Sequence, residues 1–324
     1  MKPFTFSPIF KSLIWGGDKI APYKGIESSQ RNIGESWELS GVEGSESVVS
    51  GGEFDGWLLP ELTARFKEKL VGRKAYEAYG DEFPILVKFI DARRDLSIQV
   101  HPDDELARRR EGKRGKTEMW YVVGADADTH LKCGFSQRIT PEEYEARVAD
   151  STIVDVLQDY VLTEGDVFFL PAGRVHAIGA GALIAEIQQT SDITYRIYDY
   201  NRTDANGRQR ELHTALAREA IDYTVLPDYR TRYDVRPDGE TVLVECPHFT
   251  TSLYDLTVPC GKEVAALDSF LAVICIGGEG ELCDSEGNIT PLRQGRTVLV
   301  PASTERVRFV PKGGVGMKLL TCHM

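Results

Sequence analysis

Glycine, proline and aspartate punctuate this chain throughout and divide it into many short segments rich in β-branched and aromatic residues. Typical segments are "FPILVKFIDA", "EMWYVVGA", "DVFFLPAG", "ALIAEIQQT" and "FLAVICIGG". Short strands at such spacing are typical of an all-β sandwich or barrel, because a βαβ sheet would need a helical run between successive strands. The sequence therefore predicts a mainly β protein.

Two segments in the first half break this pattern and predict helical insertions. The segment near 56–80 places leucine and phenylalanine at helical spacing, with helix-favouring polar residues between them. The segment near 138–160 opens with Thr140, Pro141 and Glu143, which suit the N-cap, N1 and N3 positions of a helix.

An internal repeat divides the chain into two related β units. The stretch "LTEGDVFFLPAGRVH", starting at residue 162, aligns without a gap with "LRQGRTVLVPASTER", starting at residue 292. Upstream, "EMWYVVGA" aligns with "LAVICIGG", and the extra spacing in the first copy equals the length of its second helical insertion. We therefore expect one unit over residues 1–230 and a second over residues 231–324.

The two copies differ at two positions where the first has side chains that could bind a ligand or take part in catalysis. The first copy has Glu118 and His176 where the second has Leu271 and Arg306. A shared framework with polar residues in only one copy predicts a functional site in the first unit. The second unit is expected to be degenerate and to lack metal ligands.

Two further polar residues join this pair. In "LSIQVHP", Gln99 and His101 are two positions apart and share one face of a strand. With Glu118 and His176 they give two imidazoles, a carboxylate and an amide, on three neighbouring strands if the unit is a barrel. Such a set suits a catalytic zinc or a non-haem iron, and the weak glutamine ligand leaves the site labile. The simpler alternative is structural histidines and an ordinary His-Pro-Asp exit from a strand.

Charge and cysteine content restrict the partners. A net charge of -12 and a pI near 5.1 argue against nucleic acid and anionic membranes as partners, and an anionic small substrate would need a local cationic pocket. Six cysteines show no Cys-x-x-Cys pair, and no run is long and apolar enough for a membrane span. These features predict a cytoplasmic protein with reduced thiols, and the sequence carries no signal for an oligomeric state.

Four motifs in order, "IWGG", "LSIQVHPDD", "GKTEMWYVV" and "LPAGRVHAIGAGALIAEIQQTSDITYRIYDYNR", closely resemble the type I mannose-6-phosphate isomerases in their short bacterial form. The resemblance runs from about residue 8 to the C-terminus. It implies a double cupin of two jelly-roll-like β-barrels and one Zn²⁺ per chain, held by Gln99, His101, Glu118 and His176. It also implies interconversion of mannose 6-phosphate and fructose 6-phosphate by proton transfer through an enediolate.

This reaction needs a base, and Glu186 is our candidate. Its strand "ALIAEIQQT" places it on a face that we expect to line the pocket, where burial would raise the pKa of the carboxyl group. The alternative is a glutamate in a structural ion pair. Lys116, two residues before Glu118, should reach the sugar or the proton pathway. Longer family members carry a histidine at the position of Gly115, so a mechanism that requires that histidine cannot operate in this chain.

Two residues are candidates for the phosphorylated end of the substrate. Arg196, in "TYRIYDYN", has a guanidinium suited to a phosphate or to developing negative charge, and the resemblance implies a catalytic or substrate-binding role. The alternative is an ion pair with Asp199 or Asp192. The resemblance also implies that Ser97 hydrogen-bonds the phosphate.

Two other functions fit the metal ligands. A sugar-sensing or regulatory cupin would bind metal and ligand without turnover, but it would need no base. An iron cupin dioxygenase would have the same histidines, but the glutamine and the phosphate-suited cations argue against it.

Overall fold

Strands dominate the computed structural model, which describes residues 1–203, 207–314 and 316–324. The strands of the first 230 residues are β1 (Phe4–Ser7), β2 (Ile9–Gly17), β3 (Ile33–Leu39), β4 (Val48–Val49), β5 (Ile85–Asp91), β6 (Ile98–Val100), β7 (Glu118–Ala125), β8 (His130–Phe135), β9 (Leu157–Val161), β10 (Val167–Leu170), β11 (His176–Ile178), β12 (Ala182–Gln189), β13 (Tyr195–Tyr198) and β14 (Arg230–Thr231). Those that follow are β15 (Glu240–Glu245), β16 (Thr250–Leu256), β17 (Cys260–Glu263), β18 (Leu271–Asp284), β19 (Ile289–Arg293), β20 (Thr297–Val300), β21 (Arg306–Pro311) and β22 (Met317–His323). The mainly β prediction is confirmed.

The α-helices of the described residues are short and lie in the first unit: α1 (Ile20–Tyr23), α2 (Leu59–Phe66), α3 (Glu68–Val71), α4 (Arg73–Tyr79), α5 (Asp104–Glu111), α6 (Pro141–Ala149) and α7 (Thr214–Ala220). Helix α6 begins as the sequence predicts, with the Thr140 hydroxyl accepting a hydrogen bond from the Glu143 amide at 3.1 Å. The second insertion is shorter than predicted. Residues 157–161 form β9, because their main chain pairs with β8.

Two antiparallel sheets build the first unit and enclose an apolar interior. One has the order β14-β10-β7-β12-β5-β3-β2 and the other β13-β6-β11-β8-β9. Trp120 and Ile184 of the first sheet pack with Leu131 and Ile178 of the second. Because side chains alternate along a strand, Glu118 at the start of β7 faces the same interior as Trp120.

The second unit rests on a larger sheet, ordered β15-β16-β22-β18-β20-β1-β4, to which β17, β19 and β21 add. The first strand of the chain belongs to this sheet, since Phe4 pairs with Leu299. The two units pack face to face through a shared core that includes Met119 and Phe89 from one side and Ile274 and Leu320 from the other. The division near residue 230 and the two-barrel description stay predictions.

The predicted repeat recurs in the strand pairing. Glu118 of β7 lies opposite Leu170 of β10, and the equivalent Leu271 of β18 lies opposite Val300 of β20. The register matches the sequence alignment in both copies. The two units therefore share a strand framework but not the residues that fill it.

No helix within the described ranges is both long enough and apolar enough to cross a membrane.

Candidate metal centre and active-site cavity

Two buried histidines present unprotonated nitrogens to one point. The Nδ1 of His101 donates to the carbonyl of Ile193 at 2.7 Å, and the Nδ1 of His176 donates to the carbonyl of Arg174 at 2.8 Å. These bonds leave both Nε2 atoms with lone pairs directed inward. Burial, followed by the nearby Lys116 ammonium, lowers the pKa of both imidazoles, that of His176 to about 3. Both rings are neutral and ready to bind a cation.

Glu118 completes a three-residue cluster with these histidines. One ligand atom from each of His101, Glu118 and His176 lies within 4.8 Å of the others, and all three side chains are buried. The sequence interpretation placed the ligands on three neighbouring strands, which is wrong in detail. His176 on β11 neighbours β6, but Glu118 approaches from β7 in the facing sheet. Among the residues that the structure describes, no other histidine, cysteine and carboxylate side chains group in this way.

The facing acceptor atoms of Glu118 and His176 indicate a position suited to a cation. The Oε1 atom of Glu118 is buried without a hydrogen-bond partner and lies 3.2 Å from the Nε2 atom of His176, so two acceptors face each other. Burial and repulsion by Glu186 raise the pKa of Glu118, which a bound divalent cation would reverse. Two imidazoles and one carboxylate are a donor set typical of catalytic zinc.

Gln99 lies beside this cluster. It pairs with His176 across the β6–β11 ladder, and its side-chain Nε2 is 3.2 Å from the Nε2 atom of His176. The amide therefore lies at the edge of the cluster. Rotating the amide by half a turn would direct its oxygen to the same place.

Lys116 inserts its ammonium among the same atoms. Its Nζ lies 3.0 Å from the Nε2 atom of His101, forms an ion pair with Glu118, and is 3.6 Å from Glu186. The sequence predicted that Lys116 would reach the site because it shares a face with Glu118. The three buried side chains of the cluster therefore face a positive charge.

A cavity of about 220 Å³ opens next to the cluster. Its walls include five residues predicted to act on substrate or metal, namely Ser97, Gln99, Lys116, Glu186 and Arg196. The tryptophans of "IWGG" and "GESWELS", Trp15 and Trp37, line it as well. The sequence-predicted residues thus converge on one space.

Glu186 is buried, as expected, but the expected rise of its pKa is wrong. Burial alone would raise the pKa, but the ammonium groups of Lys88 and Lys116 hold it below its usual value. The Nζ of Lys88 lies 3.0 Å from Oε1, and the indole of Trp120 donates to Oε2 at 2.7 Å. The carboxylate is therefore ionised and fixed in orientation by its neighbours.

Lys88 and Glu35 are site residues that the sequence interpretation missed. Lys88 lies opposite Glu186 across the β5–β12 ladder and also pairs with Glu35 at 3.4 Å. Burial would lower the pKa of Lys88, but the carboxylates of Glu186 and Glu35 raise it above its usual value. A lysine in the middle of the buried run "ILVKFID" was the available signal, because a charge there must meet a partner.

Arg196 does not form the ion pair that was its structural alternative. Asp199 is bound by Arg202 and Arg210 instead, and the Asp192 carboxylate pairs with Lys113 at 2.8 Å. Arg196 donates through Nη1 to a main-chain carbonyl at 3.0 Å, and its buried Nε has no hydrogen-bond partner within the described residues. Its guanidinium is therefore available to a ligand in the cavity.

Close packing of the main chain around Gly115 explains why this chain has no histidine at that position. A Cβ atom at this position would lie 2.4 Å from the main-chain carbon of Asp103 and 2.5 Å from the amide nitrogen of Asp104. No side chain fits there unless the start of α5 moves.

Comparison with known proteins agrees with this geometry. The family described as phosphomannose isomerase type I, catalytic domain, matches residues 4–126, and the mannose-6-phosphate isomerase cupin domain matches residues 239–314. The mannose-6-phosphate isomerase of Bacillus subtilis is 36% identical over 93% of both chains. This chain belongs to the type I phosphomannose isomerase family.

Other relatives of the family extend the match to the whole fold. The mannose-6-phosphate isomerase of Streptococcus mutans is 33% identical over 91% of both chains. A crystal structure of mannose 6-phosphate isomerase from Bacillus subtilis superposes with a TM-score of 0.89 at 31% identity, covering all of both chains. The family resemblance found in the motifs is thereby confirmed.

Proposed function

We propose that this protein is a zinc-dependent aldose-ketose isomerase that interconverts mannose 6-phosphate and fructose 6-phosphate. The observation that carries this proposal is the position of Glu186, an ionised carboxylate that lines the cavity next to the buried cluster of His101, Glu118 and His176. Family membership at 36% identity to a mannose-6-phosphate isomerase supports it.

His101, Glu118 and His176 would hold one Zn²⁺ per chain, with Gln99 as a weak fourth ligand through its amide oxygen. A bound zinc ion supplies a Lewis acid for the oxygens on the two reacting carbons of the sugar. A neutral amide ligand suits such a role, since it leaves room for these oxygens.

Glu186 transfers the proton between C2 and C1 in this proposal. Its carboxylate is ionised, the form that a base requires, and the 2.7 Å bond from Trp120 orients it. Lys88, at 3.0 Å, keeps the carboxylate charged and stabilises the enediolate that forms when the proton leaves C2.

Lys116, Ser97 and Arg196 bind and orient the substrate. The ammonium of Lys116 faces the cluster and the base, so it reaches the hydroxyl groups near the reacting carbons. Ser97 immediately precedes β6, and Arg196 lies in β13, which pairs with β6. Both side chains line the cavity. They would receive the phosphate.

The alternative is a metal-binding cupin that senses a sugar without turnover. Such a protein has no need for a buried, oriented carboxylate beside two ammonium groups. The environment of Glu186 therefore favours the enzyme.

The test is an assay of the purified protein together with its metal content. We expect about one zinc per chain, formation of fructose 6-phosphate from mannose 6-phosphate, and loss of activity with a chelator that added zinc restores. His101→Ala should lose both metal and activity, whereas His130→Ala, an exposed histidine paired with Asp159, should keep both. Zinc-loaded protein without turnover would exclude the enzyme, and oxygen consumption by the iron-loaded form would indicate the dioxygenase.

We also propose a cytoplasmic location. All six cysteines are free thiols in the part of the chain that the structure describes, as is usual in a reducing compartment.

A further inference from the structure

A cluster of three arginines lies beside the cavity, and two of them bind one buried aspartate. Arg210 binds Asp199 with two parallel hydrogen bonds, from Nε at 2.7 Å and from Nη2 at 2.5 Å. Arg202 binds the same carboxylate through its own Nη2. Arg196 is near enough to Arg210 for the two charges to repel each other, and both this repulsion and, more strongly, burial lower the pKa of Arg196.

The charges of this arginine cluster do not balance among the described residues. Three guanidinium groups lie near one buried carboxylate, that of Asp199, whose side chain is 5% exposed and binds only two of them directly among the described residues. Glu211 contributes its main-chain carbonyl to Arg196, but its carboxylate is on an exposed residue. A surplus of positive charge that is half removed from water favours binding of an anion that carries two negative charges.

Two of the three arginines reach the cavity. Arg196 and Arg210 both line it, whereas Arg202 does not. His213 holds the segment that carries Arg210 against β13: its amide donates to the Arg196 carbonyl at 2.7 Å, and its Nδ1 accepts from the Arg196 amide at 3.0 Å. These bonds hold the segment that carries Arg210 next to the strand that carries Arg196, so both side chains line the same cavity.

The distance from this arginine cluster to the metal ligands suits a six-carbon sugar. Arg196 lies opposite Gln99, and Gln99 lies opposite His176, so two strand spacings separate Arg196 from His176. Each spacing is about 4.8 Å, which gives about 10 Å. An open hexose chain can place C1 and C2 at the metal ligands and its C6 substituent at the arginines.

We infer that Arg210 binds the substrate's phosphate together with Arg196, and that it sets the preference for a phosphorylated sugar. The inference rests on the proposed isomerase function and adds a specificity residue to it. Asp199 binds two nitrogens of Arg210, Nε and Nη2, and so fixes the orientation of the guanidinium. The remaining Nη1 can therefore bind the phosphate without further loss of side-chain entropy. Arg196 contributes the buried Nε that has no partner in the described structure.

Arg202→Met provides the matched control, because Arg202 shares Asp199 with Arg210 but does not line the cavity. We expect Arg210→Met to raise the KM for mannose 6-phosphate by about 10- to 100-fold. The competitive inhibition constant of inorganic phosphate should rise by a similar factor, whereas kcat should change much less. Arg202→Met should change either constant less than about threefold. Arg210→Lys keeps the positive charge and should therefore bind phosphate better than Arg210→Met. It should orient the phosphate less well than arginine does, because an ammonium group cannot form the two parallel bonds to Asp199.

Equal effects of Arg210→Met and Arg202→Met would overturn the inference, because they would show that Arg210 acts only by holding Asp199. Calorimetric titration of the wild-type protein and Arg210→Met with inorganic phosphate separates this inference from the proposed function. If the wild-type protein binds phosphate and the variant does not, the anion site stands even where no isomerisation is seen. If both bind phosphate equally while the wild-type protein isomerises the sugar, the arginine assignment is wrong and the enzyme assignment stands.

Discussion

Equivalent strands of the two units carry different side chains into their interiors. In the first unit, the interior positions of β7 begin with Glu118 and lead into a charged cavity. In the second, the equivalent Leu271 packs with Val273, Val298 and Phe309 in an apolar core. Strand pairing alone therefore does not specify a metal site. The site needs charged side chains that face one another across the interior, and the second unit shows that the framework is complete without them.

Replacing a residue of one unit by its equivalent in the other is the strongest test of this comparison. Glu118→Leu gives the first unit the residue of the second, and we expect it to abolish metal binding and to lower kcat/KM by at least about 10³-fold, a loss of about 4 kcal/mol in transition-state stabilisation. Metal analysis and the isomerase assay measure both effects. Met119→Leu, the neighbouring residue that faces the shared core, is the control and should retain metal and activity.

Removing the base while keeping the metal gives the next largest effect. Glu186→Gln preserves the shape of the side chain and the bond from Trp120, but it removes the proton acceptor. Turnover should fall by about 10²- to 10⁴-fold at unchanged metal content. Activity near that of the wild-type protein would exclude Glu186 as the base.

The reciprocal exchange tests the second unit. Leu271→Glu places a carboxylate without a partner in an apolar core and should lower the free energy of unfolding by about 3 kcal/mol. The midpoint of urea unfolding measures this, and metal content should stay at one ion per chain. Ile289→Glu, at a side chain that is 61% exposed, should change the stability by less than about 0.5 kcal/mol.

Ser97→Ala should have the smallest effect. Loss of one hydrogen bond to the phosphate costs about 1 kcal/mol, which corresponds to a roughly fivefold rise in the KM for mannose 6-phosphate. Metal content and the unfolding midpoint should not change. A KM equal to that of the wild-type protein would remove Ser97 from the phosphate site.

The sequence singled out side chains that the structure brings together, because the signals for them are local regularities. Gln99 and His101 share a face by strand alternation, and Glu118 and His176 are the positions at which the two copies differ. These signals need no knowledge of which strands are neighbours in space.

The electrostatic environment could not be predicted in the same way. The pKa of Glu186 depends on Lys88, which lies nearly 100 residues earlier in the chain and meets Glu186 only through the pairing of β5 with β12. Arg210 reaches the cavity because His213 binds β13, a contact that no periodicity encodes. Burial of a carboxylate could be inferred from its strand, but the sign of its pKa shift is set by partners from other strands.

The pairing of β1 with β20 has a consequence for biosynthesis. Residues 4 and 5 are made nearly 300 residues before their partners at 298 and 299. At a translation rate of 5 to 20 residues per second, the first strand waits roughly 15 to 60 s for its neighbour. The β1 edge of this sheet can therefore form only after residue 299 has left the ribosome, so it is a late step in the assembly of the second unit.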